Sequence, residues 1–121
     1  MKILIVDDEK SICEEFRDIL HDEGHDVQIA LNGMEALEKV GREEFEVVFL
    51  DVLMPRMEGR EVFEKIHAIN KKVQVVIMSG FLPPNKERDI LDLGALACLR
   101  KPLDLNQVRT LLKSVQSRQA V

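Results

Sequence analysis

The sequence is poor in cysteine, proline and glycine, and it contains no long hydrophobic run. Its two cysteines, Cys13 and Cys98, provide neither a disulfide framework nor the spacing of a metal-binding motif. With six glycines, four prolines and 45% hydrophobic residues, the composition excludes a collagen-like or intrinsically disordered chain. No apolar stretch approaches the roughly 20 residues that a transmembrane helix needs. These absences leave an ordinary globular domain.

The charge balance is mildly acidic, with 22 acidic and 17 basic side chains and a formal net charge of −5. Because phosphate contacts require clustered lysine and arginine, this balance argues against a direct nucleic-acid surface. Residues 1–6, which are apolar except for Lys2, are followed at once by four charged residues, which is not the pattern of a signal peptide. We therefore expect a cytoplasmic protein without membrane contact. Its 121 residues suit one domain, which we place at residues 1–117, with 118–121 as a C-terminal tail or the start of a linker.

Short apolar segments alternate with segments of helical spacing along the sequence. Five apolar, β-branched runs predict strands buried on both faces, at residues 3–6, 27–31, 47–50, 73–78 and 97–99. Apolar stripes predict helices within residues 12–20, 34–40, 62–69, 87–93 and 105–115. This alternation predicts an α/β, doubly wound (βα)5 fold, in which helices cover both faces of a five-stranded parallel sheet.

The same pattern identifies candidate core residues and helix ends. The buried face of the first helix is expected to carry Ile12, Phe16, Ile19 and Leu20, with Cys13 on the same side. Three glycines follow helical stretches, where a left-handed closing residue is typical: Gly24, Gly41 and Gly94.

Four of the five predicted strands end in polar or charged side chains. The first strand leads to Asp7 and Asp8, the third to Asp51, the fourth to Ser79 and the fifth to Lys101. Because the carboxyl ends of parallel strands share one edge of a sheet, we expect three carboxylates to lie close together there. Their repulsion must be compensated, and Lys101 together with a divalent cation would do so. Mg²⁺ prefers oxygen ligands and keeps several waters, so Mg²⁺ is the expected ion, with Mn²⁺ as a substitute.

Each of these residues, taken singly, also has an ordinary structural explanation. Acidic residues after a strand suit the positive end of the following helix. A serine at a strand end is commonly a turn residue, and a lysine beside an arginine is commonly solvated. Their joint placement at one edge favours the functional interpretation.

The segments that carry these residues resemble the receiver domains of two-component response regulators, the CheY-like family. The matching segments follow one another along nearly the whole chain: ILIVDD at 3–8, DVLMPRMEG at 51–59, MSG at 78–80, GA at 94–95 and KP at 101–102. The resemblance implies the flavodoxin-like, CheY-like strand order 2-1-3-4-5. It also implies a domain that signals by conformational change and catalyses only its own phosphorylation and dephosphorylation.

The resemblance assigns a phosphoryl acceptor and a metal site. Asp51 would accept a phosphoryl group from a sensor histidine kinase or a histidine phosphotransfer protein. Asp8 would bind Mg²⁺ directly and Asp7 would help through water, while Asp51 and the backbone carbonyl of Leu53 would complete the protein ligands.

The resemblance also assigns groups that hold the phosphoryl oxygens. Lys101 would pair with one oxygen, and the Ser79 hydroxyl would donate a hydrogen bond to another. The peptide bond between Lys101 and Pro102 is expected to be cis, a geometry that is accessible to X–Pro bonds.

The sequence departs from the receiver pattern at the residue that usually signals. Receivers generally carry an aromatic residue three positions before the lysine, where this chain has Cys98. We therefore expect the switch to rest on Ser79, with Phe81 as a substitute aromatic. Phe81 and Leu53 would both flank the phosphoryl group; they either exclude the hydrolytic water and prolong its lifetime or simply pack a loop.

Other function classes fit parts of the sequence. A haloacid dehalogenase-like phosphatase or phosphotransferase would use Asp51 as its nucleophile, but it needs a second aspartate where this chain has Leu53. A flavin-binding module would share the sheet, but the acidic residues 7–9 would repel its phosphate. A degenerate, purely protein-binding receiver would not need the full acidic and lysine set.

The sequence does not identify the downstream partner or pathway of the domain. By resemblance, the surface formed by the fourth helix, fifth strand and fifth helix would dock a partner or form a homodimer. Whether the chain acts alone or within a longer regulator is left open.

Overall fold

The computed structural model of the protein describes residues 1–52 and 59–119, with side chains up to residue 117. Strands and helices alternate, as β1 (Lys2–Val6), α1 (Lys10–Asp22), β2 (Asp26–Ala30), α2 (Gly33–Arg42), β3 (Val47–Asp51), α3 (Gly59–Ile69), β4 (Gln74–Ser79), α4 (Pro84–Asp92), β5 (Ala97–Arg100) and α5 (Leu105–Gln119). The strands form one parallel sheet in the order β2-β1-β3-β4-β5. The (βα)5 prediction and the strand order implied by the resemblance are both confirmed.

Helices cover both faces of the sheet because alternate strand residues point to opposite sides. On one face, Leu4, Val48 and Ile77 pack with side chains of α2, α3 and α4. On the other face, Ile3 and Phe49 pack with α1 and α5. All five residues of β3 are buried, as expected for a strand covered on both faces.

The buried face of α1 is narrower than predicted, because two of its expected core residues are exposed. Cys13, Phe16 and Leu20 are buried, and the expected core position of Cys13 is confirmed. Ile12 and Ile19 were expected in the core, but their exposed fractions are 42% and 36%. Four apolar residues at mixed three- and four-residue spacing cover a wider arc of α1 than the sheet can bury.

The fourth helix begins three residues earlier than the sequence pattern indicates. Pro84 occupies its first turn, and the carbonyl of Pro83 accepts hydrogen bonds from the N–H groups of Lys86 and Glu87. A proline is well suited to this place, because the first helical residues need no hydrogen-bonded N–H. The two prolines therefore mark the start of α4.

The last helix continues beyond the expected end of the domain. It extends to Gln119, so the domain boundary proposed after residue 117 falls within α5. Within the described ranges, no helix is both long enough and apolar enough to span a bilayer.

The topology brings four strand ends to one edge of the sheet. Strand order reverses between β1 and β3, whose ends lead to Asp7 and Asp51. Ser79 ends β4, and Lys101 follows β5. Ligands of doubly wound sheets bind at this edge, so the candidate site lies where the fold class places it.

Candidate functional site

Three carboxylates converge at the carboxyl edge of the sheet. Asp7, Asp8 and Asp51 each offer an oxygen atom, and these atoms all lie within 4.8 Å of one another. Asp7 and Asp51 are buried, with 1% and 4% of their surface exposed, whereas Asp8 is exposed. The structure thus brings together the three aspartates that the sequence analysis placed at this edge.

Lys101 bridges the two buried carboxylates. Its Nζ atom lies 2.6 Å from Asp7 Oδ2 and 2.9 Å from Asp51 Oδ2. Burial by itself would lower the pKa of Lys101, but the hydrogen bonds and charges of Asp7 and Asp51 outweigh burial and raise it. Within residues 1–52 and 59–119, three carboxylates therefore lie around one ammonium, so acidic groups outnumber basic groups in the described part of the cluster.

Asp7 also has the structural role that its position before a helix suggests. Its Oδ1 atom accepts a hydrogen bond from the N–H of Glu9 at 3.0 Å, just before α1. Its carbonyl accepts a hydrogen bond from the thiol of Cys13 at 3.3 Å. Burial, followed by the nearby Asp7 charge, raises the pKa of this thiol to about 11. Sequence spacing indicated that Cys13 is buried but gave no sign of this contact.

Ser79 presents a buried hydroxyl to the same edge. Only 1% of its surface is exposed, and within residues 1–52 and 59–119 its Oγ atom has no hydrogen-bond partner. Its carbonyl accepts a hydrogen bond from the N–H of Lys101 at 2.8 Å, which ties the ends of β4 and β5 together. A buried unpaired hydroxyl costs about 1–3 kcal/mol, so this one suits an additional acceptor.

The donor set fits a hard divalent cation. Carboxylate oxygens are the ligands that Mg²⁺, Mn²⁺ and Ca²⁺ prefer, and three such oxygens within 4.8 Å of one another can surround one ion. The backbone carbonyl of Leu53, the fourth expected ligand, lies outside the described residues.

The expected switch residues occupy different environments. Phe81 is 74% exposed, whereas Cys98 is half-buried and packs against the core on the α2–α3–α4 side. Burial, with a smaller effect of the Glu87 charge, raises the pKa of Cys98. The peptide bond between Lys101 and Pro102 is cis, the geometry that the resemblance implies.

An apolar groove beside the acidic cluster was missed by sequence reasoning. The groove has a volume of about 530 Å³. Along α1 it is lined by Ile12, Phe16 and Ile19. It reaches Asp7 and Lys101. The two isoleucines were expected in the core, so only the tertiary structure reveals this surface.

Comparison with protein families decides the classification. A family model of the response regulator receiver domain matches residues 3–113. The chain belongs to the response regulator receiver family. Receiver domains are signalling domains that accept phosphoryl groups from histidine kinases. The haloacid dehalogenase-like alternative receives no support from these similarities, in keeping with Leu53 at the place where that class needs a second aspartate.

Individual relatives differ in how much of them the chain covers. It is 33% identical over 112 residues to Sporulation initiation phosphotransferase F of Bacillus subtilis. This match covers 93% of this chain and 90% of that protein. It is 36% identical over 110 residues to Transcriptional regulatory protein ZraR of Klebsiella oxytoca, but this match covers only 25% of ZraR. A CheY-like receiver domain from Methanospirillum hungatei superposes with a TM-score of 0.91 at 29% identity, covering 98% of this chain and 96% of that chain.

Proposed function

We propose that Asp51 is the residue of this receiver that accepts the phosphoryl group. The observation that supports this role is the position of its buried carboxylate at the end of β3, 2.9 Å from the Nζ of Lys101 and close to Asp7 and Asp8. The donor would be the phosphohistidine of a sensor histidine kinase or of a histidine phosphotransfer protein.

The reaction is a transfer between a nitrogen and an oxygen atom. A carboxylate oxygen of Asp51 forms a bond to phosphorus while the bond from phosphorus to the histidine nitrogen breaks and imidazole leaves. Carboxylic acids carry no proton at neutral pH in general, so a carboxylate nucleophile needs no general base. Positioning and charge stabilisation then supply most of the catalysis.

We assign a divalent metal site to the three aspartates. Asp8 is the direct ligand from the first strand, because its carboxylate is exposed, whereas Asp7 is held by Lys101 and helps through water. Asp51 and the Leu53 carbonyl would complete the protein ligands. A bound Mg²⁺, or Mn²⁺ in its place, supplies positive charge that offsets the phosphoryl oxygens and the carboxylates.

Lys101 and Ser79 would hold the transferred group. The ammonium of Lys101 already lies against Asp51 and can turn to a phosphoryl oxygen on the same carboxylate. The Ser79 hydroxyl, which has no partner among the described residues, would donate a hydrogen bond to another phosphoryl oxygen. This contact would give the end of β4 a different environment in the phosphorylated protein.

Signalling would follow from that change rather than from turnover of a substrate. We propose Ser79 as the primary switch residue in a cytoplasmic domain of residues 1–117. Cys98 occupies the position of the usual aromatic residue, and Phe81 would serve as its substitute. The surface of α4, β5 and α5 would dock an effector or a second copy.

The test is phosphorylation by a small acyl phosphate in the presence of Mg²⁺, followed by intact mass measurement. We expect one phosphoryl adduct on the wild type and none on Asp51→Asn. Asp22→Asn, an exposed aspartate at the end of α1, is the matched control and should retain the adduct. An adduct of wild-type yield on Asp51→Asn would contradict the assignment. Size-exclusion chromatography of the same samples shows whether phosphorylation produces a dimer.

A further inference from the structure

The peptide between the first two aspartates is held by the thiol of Cys13. The Sγ atom donates a hydrogen bond to the carbonyl oxygen of Asp7 at 3.3 Å. Cys13 is fully buried, in the core that α1 and α5 form with the sheet. This side chain therefore reaches the acidic cluster from inside the protein.

Asp7 has a partner at each of its polar atoms. Its N–H donates to the carbonyl of Ala30 at 3.1 Å, and its Oδ1 accepts from the N–H of Glu9 at 3.0 Å. Its Oδ2 lies 2.6 Å from the Nζ of Lys101. The thiol of Cys13 binds the remaining atom, the carbonyl oxygen.

Asp8 depends on the same peptide plane. Its exposed carboxylate has no hydrogen-bond or ion-pair partner in the part of the chain that the structure describes. Its orientation is therefore set by the backbone. The carbonyl of Asp7 and the amide of Asp8 belong to one rigid planar unit, so rotating that plane re-aims both side chains.

We propose that Cys13 is a positioning residue for the divalent metal site, acting through the peptide plane between Asp7 and Asp8. This inference rests on the proposed function, because it needs these aspartates around the metal. Removing a group that orients a metal ligand commonly costs about 10- to 100-fold in metal affinity. Since a thiol is a weak donor, we expect the low end of that range, about tenfold.

Three substitutions separate positioning from core packing. Cys13→Ser keeps a donor, Cys13→Ala removes it, and Cys13→Val removes it while filling the space. Mg²⁺ affinity is measured by isothermal titration calorimetry, because the chain has no tryptophan or tyrosine for fluorescence. We expect Cys13→Ser to bind Mg²⁺ within about threefold of wild type and the other two variants to bind about tenfold more weakly.

Two outcomes overturn the proposal while leaving the proposed function intact. One is wild-type Mg²⁺ affinity in the folded alanine and valine variants, and the other is an equal loss in all three variants. If wild type itself binds no Mg²⁺, the metal site and this inference are both wrong. Circular dichroism establishes folding, and where one apolar variant does not fold, the other carries the comparison.

A metal-free measurement tests the contact directly. The ¹⁵N chemical shift of the Asp8 amide responds to a hydrogen bond on the carbonyl of Asp7, because both belong to one peptide. We expect this signal to move in Cys13→Ala and Cys13→Val and to stay near its wild-type position in Cys13→Ser. An unmoved signal in both apolar variants would contradict the contact.

Discussion

Lysine–carboxylate pairs occur at both ends of the sheet, and the two differ in how their charges balance. At the amino end, Lys2 lies 2.7 Å from Glu43, and both side chains are about one third exposed, at 30% and 34%. At the carboxyl end, the Lys101 side chain is 22% exposed and contacts two carboxylates, Asp7 and Asp51, that are almost completely buried.

The amino-end pair is complete in itself. Hydrogen bonding with Glu43 raises the pKa of Lys2, and hydrogen bonding with Lys2 lowers the pKa of Glu43, so each charge is satisfied by the other. Gln28 donates a second hydrogen bond to Glu43, and the Lys2 ammonium lies 5.4 Å from the ring centre of Phe45. Such a pair joins two elements of the fold and leaves no charge for a ligand.

In the carboxyl-end cluster, by contrast, the charges of the described residues do not balance one another. Among the residues that the structure describes, three carboxylates lie around one ammonium, and the buried hydroxyl of Ser79 has no hydrogen-bond partner. The comparison shows that an ion pair alone does not mark a functional site. Buried carboxylates that converge with a further acid at one edge of the sheet do, because folding alone does not favour the burial of charge.

The largest expected effect comes from removing the lysine at each end. Lys101→Met leaves buried carboxylates without their cation and should lower the free energy of unfolding by about 3 kcal/mol. Lys2→Met should change it too little to resolve, because that pair is partly exposed. Urea denaturation followed by circular dichroism, at neutral pH without divalent metal, measures both. Equal losses in the two variants would contradict the larger role of the buried pair in stability.

Two glycines extend the comparison from charge to packing. A Cβ atom on Gly59, at the start of α3, would lie 2.5 Å from the Cα of Val52, the residue after Asp51. Gly59→Ala should therefore lower the free energy of unfolding by about 2 kcal/mol and slow phosphorylation, because α3 must move away from the site. Gly41→Ala, at the other end, meets nothing within 4 Å and should stabilise α2 by up to about 1 kcal/mol. Thermal unfolding distinguishes the two, and a stabilising Gly59→Ala would contradict the close approach.

The charge imbalance itself is tested by removing one acid. Without metal, Asp8→Asn should raise the free energy of unfolding by about 1 kcal/mol, since repulsion at this separation has that size even in water. Wild type should gain about 1.4 kcal/mol at a Mg²⁺ concentration ten times its Kd, and Asp8→Asn should gain much less. Asp22→Asn serves as the control and should respond to Mg²⁺ like wild type. A Mg²⁺ response of wild-type size in Asp8→Asn would remove Asp8 from the ligand set.

Much of the fold and the membership of the site could be predicted from the sequence. Apolar β-branched runs predict buried strands, and strand ends at one edge place the acidic residues, Ser79 and Lys101 together. The positive φ angles of Gly24 and Gly94, 95° and 117°, confirm the predicted helix ends. The strand order, in contrast, came from family resemblance.

The remaining features depend on tertiary contacts that sequence spacing does not encode. Gly41 was expected to end a helix but lies inside α2. A glycine can adopt helical geometry at a modest cost in stability, so its presence does not by itself end a helix. The exposed Ile12 and the buried Cys13 are neighbours on α1, and only the packing of that helix decides which one faces the core. The bridging of Asp7 and Asp51 by Lys101 likewise requires three separate strands to be in place.

The smallest expected effect is a pH dependence confined to the amino end. His25 is half-buried, and its Nδ1 atom lies 3.1 Å from the terminal amine of Met1. Burial, followed by the positive charge of that amine, lowers the pKa of His25 below its usual 6.5. The charges of Glu23 and Glu46 oppose this shift but do not outweigh it. The unfolded chain therefore binds this proton first as pH falls, so the contribution of neutral His25 is complete above pH 6.5 and is lost as pH falls toward the lower folded value. His25→Gln should flatten the rise of unfolding free energy with pH below about pH 6.5, measured by urea denaturation at a series of pH values. An unchanged slope in His25→Gln would mean that burial at this end costs the imidazolium nothing.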